Sequence, residues 1–222
     1  MRWNVISCSA WRLYVIIDRS AIGARPPAEV AQAAIRGGAD VLQLRDKTGS
    51  ARWLLEEAKG LLPLTRRAGV PLIINDRVDI AMAVDADGVH LGQDDLPLKE
   101  ARAILGPTRL IGKSTHTTAQ ALEAQVEGAD YIGFGPIFPT PTKPEYSGIG
   151  LEAIGEVASR LHIPIVCIGG IECGNLEQVM GAGAPCIAMV RAVCAAEDPE
   201  TATRDLKRVL VQYHRTHVAH HL

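Results

Sequence analysis

The chain has 222 residues, a formal net charge of −2, 47% hydrophobic residues and only 4% aromatic ones. That apolar content excludes disorder and permits a sizeable core, while near-neutral charge and scarce rings argue against nucleic acid or an anionic membrane as partner. No run approaches the roughly 18 apolar residues of a spanning helix.

Taken from the start, Met1 to Ala10 carry one arginine and a short, interrupted apolar stretch without a secretory h-region, so about residues 1–11 read as a lead-in. Five cysteines, an odd number with no CxxC, point to buried thiols in a reducing cytoplasm rather than to a disulfide framework or a zinc site. Eight short β-branched runs then follow: Leu13–Ile17, Val41–Leu44, Pro71–Ile74, Gly88–Leu91, Leu110–Gly112, Tyr131–Phe134, Ile165–Ile168 and Cys186–Val190. Their near-continuous apolar character suits parallel strands buried on both faces. Helix-compatible stretches separate them at Pro27–Arg36, Ala51–Ala68, Leu98–Leu105, Thr118–Glu127, Leu151–Arg160 and Leu176–Ala182. About residues 211–222 form a His-rich tail, read as a solvated, frayed end.

A short phrase marks several helix-to-strand joints: Gly38-Ala39-Asp40, Ala86-Asp87-Gly88, Gly128-Ala129-Asp130 and Gly183-Ala184-Pro185. A glycine closing a helix before a strand fits the three that begin with glycine, and the spacing of Asp40, Asp87 and Asp130 corresponds to two βα units per step. Eight such units predict a single-domain (β/α)8 TIM barrel over 1–222, with its chemistry at the C-terminal ends of the strands. A doubly wound open sheet is the competing architecture. It would normally carry a glycine fingerprint after the first strand, where Ile17-Asp18-Arg19-Ser20 stands instead.

The expected strand ends are crowded with polar groups. Alternation turns Gln43, Arg45 and Lys47 to one side, an amide and two cations that suit an anion such as phosphate, although a salt-bridged rim would look the same. Asp76 after the third strand and Asp95 after the fourth supply two carboxylates opposite those cations, the donor set Mg2+ shares with phosphate oxygens. Helix capping by Asp94 or Asp95 is the plainer alternative, and His90 reads as packing. Lys113-Ser114-Thr115-His116 ends the fifth strand, and a proline-rich loop after the sixth presents Thr140, Thr142 and Lys143. Gly169-Gly170 and Val190-Arg191 occupy the places where barrels commonly bind phosphate through backbone N–H groups. Two anion sites at one mouth suit an enzyme that joins or cleaves two phosphorylated small molecules.

Gln43-Leu44-Arg45-Asp46-Lys47, Asn75-Asp76, Gly88 through Leu96, Thr140-Pro141-Thr142-Lys143 and Ile168-Gly169-Gly170-Ile171 together resemble the thiamine-phosphate synthase family, in order and spacing, across about residues 12–200. The resemblance implies a transferase that condenses hydroxymethylpyrimidine diphosphate with a thiazole phosphate, or its 2-carboxy form, releasing diphosphate, with CO2 from the carboxy form, and requiring Mg2+. It assigns Gln43, Arg45, Lys47, Asn75, Ser114 and Lys143 to the pyrimidine diphosphate and Asp76 and Asp95 to the metal. It assigns Thr140, Thr142, Gly170, Val190 and Arg191 to the thiazole phosphate. Among these, Arg45, Lys47 and Lys143 neutralise the leaving group. The family usually has serine where this chain has Arg191, so that pocket departs from the pattern. A thiazole tautomerase of the same barrel family lacks the full cationic triplet and paired carboxylates, and a silent phosphate-binding barrel would lose its mouth charges. Self-association is left open.

Overall fold

The computed structural model describes residues 8–140 and 147–217. Eight strands close into a barrel in chain order: β1 (Leu13–Asp18), β2 (Val41–Arg45), β3 (Leu72–Asn75), β4 (Gly88–Leu91), β5 (Leu110–Thr115), β6 (Tyr131–Phe134), β7 (Ile165–Cys167) and β8 (Cys186–Met189). Every neighbouring pair is parallel, and β8 returns to β1. The open-sheet alternative therefore falls. Helices Pro27–Gly37, Ala51–Ala68, Leu98–Leu105, Thr118–Val126, Glu152–Arg160 and Leu176–Gly181 stand within a residue or so of their predicted limits. Helices Val78–Ala83 and Pro199–His217, and the short turns Arg19–Ile22 and Arg191–Cys194, are additional.

Alternation along the strands sorts side chains into two cores. Tyr14, Ile16, Val41, Ile73, Leu110, Tyr131, Val166, Cys186 and Ala188 fill the barrel interior, while Leu13, Val15, Ile17, Leu42, Leu44 and their counterparts pack outward beneath the helices. Both faces are dry, which is why the strands read as continuous apolar runs. The lead-in is more than a lead-in. Cys8 and Trp11 are buried, and the Trp11 ring stands edge-on to Tyr14 and Tyr131, with centroids 5.9 and 5.4 Å apart, joining the interior cluster.

The repeated joint phrase has a mechanical meaning. Asp40 Oδ2 accepts from the Arg12 and Leu13 backbone N–H groups at 2.8 and 2.9 Å. Asp87 Oδ2 accepts from Leu72 N at 2.8 Å, and Asp130 Oδ2 from Ile111 N at 2.7 Å. Each aspartate thus opens one even-numbered strand and satisfies backbone donors at the start of the odd-numbered strand before it, holding the pair in register. Pro185 has no side-chain acceptor to offer, and its joint is served by the last helix: His214 Nε2 lies 3.2 Å from the Pro185 carbonyl. The expected frayed tail is accordingly helical to His217, with Tyr213 packed against the core. Among the described residues, no helix is long and apolar enough to cross a membrane.

Candidate active site

A cavity of about 640 Å³ opens at the C-terminal mouth. Strand parity delivers its floor and wall. Tyr14, Ile16 and Asp18 come from β1, Gln43, Arg45 and Lys47 from β2 and beyond, His90 from β4, and Ser114 from β5. The predicted alternation of Gln43, Arg45 and Lys47 toward one side is what the cavity lining contains.

Both cations already hold carboxylates. Arg45 Nη1 pairs with Asp18 Oδ2, with side chains 17% and 3% exposed. Asp18 Oδ1 also accepts from Ser20 N at 2.8 Å and Ser20 Oγ at 2.6 Å, closing the turn after β1. Sequence reasoning passed over Asp18, yet it stands opposite Arg45 in the β1–β2 register. Lys47 Nζ pairs with Asp76 Oδ2. The loop that carries Lys47 is tied down by Asp46, whose Oδ1 accepts from Thr48 N at 2.9 Å and Gly49 N at 2.8 Å. Asp46 Oδ2 holds Arg19 at 3.0 Å, and the Arg19 guanidinium lies 4.4 Å from the centre of the Trp53 ring.

Asp76 adopts φ +61°, a left-handed conformation uncommon for a side chain other than Asn, Asp or Gly. Its N–H donates to the His90 carbonyl at 2.8 Å, which fixes the turn at the cavity wall. Asp95 does not cap the following helix; Pro97 occupies that position without a side-chain bond. Instead Asp95 Oδ2 accepts from Gly92 N at 2.7 Å, and the buried Lys113 Nζ donates to the Gly92 carbonyl at 2.8 Å. Burial, reinforced by the hydrogen bond to Asp95, raises the Asp76 carboxyl above its usual range. Asp95 is held low against the cost of its own burial, because Asp76 and Gly92 N–H donate to it. Among the described residues, no three His, Cys, Asp or Glu side chains converge in a metal-ligating group.

Asn75 is 8% exposed and lines the cavity, and its Nδ2 has no hydrogen-bond partner among the described residues. A buried amide donor left unpaired costs free energy unless a ligand supplies an acceptor. Ser114 Oγ lies 3.0 Å from His90 Nε2, so His90 does more than pack. His116 Nδ1 contacts the Gly135 carbonyl. Thr140 lines the cavity, while Thr142 and Lys143 lie outside the described residues.

On the opposite side, Gly170 has φ +64°, and a Cβ there would come within 2.6 Å of Phe138 Cβ and 2.9 Å of the Phe138 carbonyl oxygen. Only glycine fits that position. Asn175 Nδ2 holds the Gly170 carbonyl at 2.8 Å. Val190 and Arg191 both face the cavity, and Arg191 is exposed with no ion-pair or hydrogen-bond partner among the described residues. Arg45 at the end of β2 and Arg191 in the turn after β8 thus stand at one mouth, the first neutralised by a carboxylate and the second without an ion-pair partner among the described residues.

Among the described residues, no cysteine lines the cavity. Burial pushes Cys8 and Cys167 up to about 12 and Cys194 up to about 11, and Cys186 rises well above the ordinary thiol range. Cys173 is exposed, against the expectation that all five would be buried.

Comparison with known proteins adds the following. A sequence profile described as thiamine monophosphate synthase matches residues 13–193. The thiamine-phosphate synthase of Chloroflexus aurantiacus is 52% identical over 201 residues, covering 90% of this chain and 93% of that protein. The thiamine-phosphate synthase of a Roseiflexus species is 50% identical over 199 residues, covering 89% of this chain and 84% of that protein. The solved structure of thiamine phosphate pyrophosphorylase from Pyrococcus furiosus superposes with a TM-score of 0.86 at 39% identity, covering 94% of this chain and 98% of that one.

Proposed function

Since the chain belongs to the thiamine monophosphate synthase family, we propose how the mouth of its barrel carries out the condensation. The protein is a transferase of thiamine biosynthesis: it joins a pyrimidine diphosphate to a thiazole phosphate, giving thiamine phosphate and diphosphate. The observation that carries the assignment of the diphosphate side is the run of charge along one wall. Asp18–Arg45 and Lys47–Asp76 are ion pairs, and the Asp76 carboxyl lies against that of Asp95.

Two neighbouring carboxylates are a donor set suited to a hard cation, and Asp76 and Asp95 are the residues that would hold Mg2+. Bound there with substrate, the ion supplies neutralisation of charge on the diphosphate oxygens. The chain's own cations do the rest. Arg45 offers a planar fork to a phosphate, and Lys47, released from Asp76, reaches the same anion as a point charge. Lys143, which the resemblance gives to the same anion, is assigned here to that role. Together they favour a state in which the bond to diphosphate has broken and negative charge has grown on the leaving group. The electron-rich aminopyrimidine stabilises the methylene cation, so no protein nucleophile is required. Gln43, Asn75 and Ser114 hold the pyrimidine diphosphate, and the unpaired Asn75 Nδ2 finds its acceptor there. Thr140 and Thr142 orient the thiazole, or its 2-carboxy form, so that its nitrogen attacks the cation. Gly170, Val190 and Arg191 hold its phosphate. Buried thiols with raised pKa values suit a reducing cytoplasm.

Purified protein with both phosphorylated substrates and Mg2+ should release diphosphate and thiamine phosphate in equal amounts. Diphosphate release without the coupled product would overturn the assignment.

Arg191 is the position that departs from the family pattern. Exposed and without a partner among the described residues, it is available to fork onto the thiazole phosphate. A charge-assisted contact of that kind contributes about 1.5–3 kcal/mol. Arg191→Ser should therefore weaken thiazole-phosphate binding about tenfold or more and leave pyrimidine-diphosphate binding nearly unchanged. Separate titrations of the two substrates check it, and unchanged thiazole-phosphate affinity would make Arg191 a bystander.

A further inference from the structure

We propose that His90 is a positioning residue: through a buried hydrogen-bonded chain across the barrel it sets the direction of the Ser114 hydroxyl, so that the pocket floor presents a donor at Ser114 and an acceptor at Gln43. The inference rests on the reading that these two residues contact the pyrimidine diphosphate. The chain crosses five strands. Gln43 Nε2 donates to Tyr14 Oη at 2.8 Å, Tyr14 Oη and Tyr131 Oη lie 3.0 Å apart, His90 Nδ1 is 3.2 Å from Tyr131 Oη, and His90 Nε2 is 3.0 Å from Ser114 Oγ.

Counting protons gives the chain a direction. Tyr14 and Tyr131 are fully buried and burial holds both hydroxyls far above their ordinary range, so each keeps its one proton. With Gln43 donating to Tyr14, the Tyr14 proton goes to Tyr131, and the Tyr131 proton goes to His90 Nδ1. The neutral imidazole then carries its proton on Nε2 and donates it to Ser114 Oγ. The serine's own proton is left for the pocket. Were Ser114 to donate to His90 instead, every link would reverse as far as Tyr14. That oxygen would then receive two donors, and its own proton would be buried without an acceptor among the described residues, an arrangement native interiors avoid. The one buried side-chain polar atom left unpaired among the described residues is Asn75 Nδ2, which is not in this chain. Only turning the Gln43 amide end for end would let the whole chain run backwards, with an N–H offered at Gln43 and a lone pair at Ser114.

The imidazole has little room to choose otherwise. A Cβ on Gly112 would lie 2.2 Å from Tyr131 Cζ and 2.5 Å from His90 Nδ1, and one on Gly133 would lie 3.1 Å from His90 Cε1. Two missing side chains on neighbouring strands thus make the slot in which the Tyr131 and His90 rings meet, with centroids 5.5 Å apart. A histidine that merely filled space would not need both nitrogens matched to hydroxyls of opposite role.

The tautomer is directly observable. In the full chain labelled with 15N-histidine, the His90 signal, assigned by its loss in His90→Gln, should show a protonated Nε2 and a bare Nδ1. A protonated Nδ1, alone or with Nε2, overturns the proposal. Binding of the pyrimidine diphosphate, measured without thiazole so that no turnover occurs, gives a second arm. Ser114→Ala and Tyr131→Phe should each weaken it, by about tenfold and about fivefold, the scale of one hydrogen bond. The double variant should bind no more weakly than Ser114→Ala alone, because Tyr131 acts through Ser114. Losses that multiply overturn the relay. Wild-type affinity in Ser114→Ala would instead sink the substrate contact on which the inference rests, and the tautomer would still decide the relay.

Discussion

Asp76→Asn should lower kcat by about 100-fold or more, the scale of removing one electrostatic group that acts in the transition state, and Asp95→Asn should do the same. Asparagine is isosteric with aspartate and tolerates the left-handed backbone that Asp76 adopts at φ +61°. The turn to the His90 carbonyl therefore survives the change. Burial raises the Asp76 carboxyl, and repulsion from the Asp95 carboxylate adds to it. Removing one charge relieves that repulsion, so each variant should melt at or above the wild-type temperature while losing turnover. The measurement is kcat at saturating Mg2+ alongside a thermal melt. Near-wild-type kcat would sink the metal assignment, and a collapsed melt would mean that the loss reports folding.

The barrel was legible because parallel strands buried on both faces leave continuous apolar runs, and because Asp40, Asp87 and Asp130 repeat at the same joint for a mechanical reason. The apolar run of the fifth strand stops at Gly112, and the polar Lys113–Thr115 at its end continue the ladder of β5, with Lys113 buried and its ammonium on the Gly92 carbonyl. Helix Val78–Ala83 is short and has no side-chain cap to announce it. Trp11 gave no signal either, because its burial depends on Tyr14 and Tyr131, distant from each other in sequence. At the site, alternation sufficed to bring Gln43, Arg45 and Lys47 to one cavity. What it could not supply was cross-strand partnership. Asp18 becomes the partner of Arg45 only through the β1–β2 register, and His90 acquires its role only when β4, β5 and β6 lie side by side. Single residues at strand ends are readable; pairs between strands require the register.

Arg45→Met should cost both stability and activity, and the two losses should separate. The Arg45 guanidinium pairs with Asp18 Oδ2 in a nearly buried setting, while Asp18 Oδ1 is already satisfied by Ser20. Deleting the arginine leaves one carboxylate oxygen buried and unpaired. Breaking a buried pair costs about 3–5 kcal/mol, and the low end applies here because two donors remain on the other oxygen. For a domain of this length each kcal/mol moves Tm by about 2–4 °C, so a fall of about 6–12 °C is expected. Adding Asp18→Asn removes the stranded charge, and the double variant should regain most of that loss. Its kcat/KM should stay about 100-fold or more below wild type, because the diphosphate still lacks the planar cation that neutralises it as it leaves. If activity returned together with stability, Arg45 would be a structural partner of Asp18 and nothing more. If stability returned alone, the ion pair seen here is where Arg45 waits, and the departing diphosphate is what it serves.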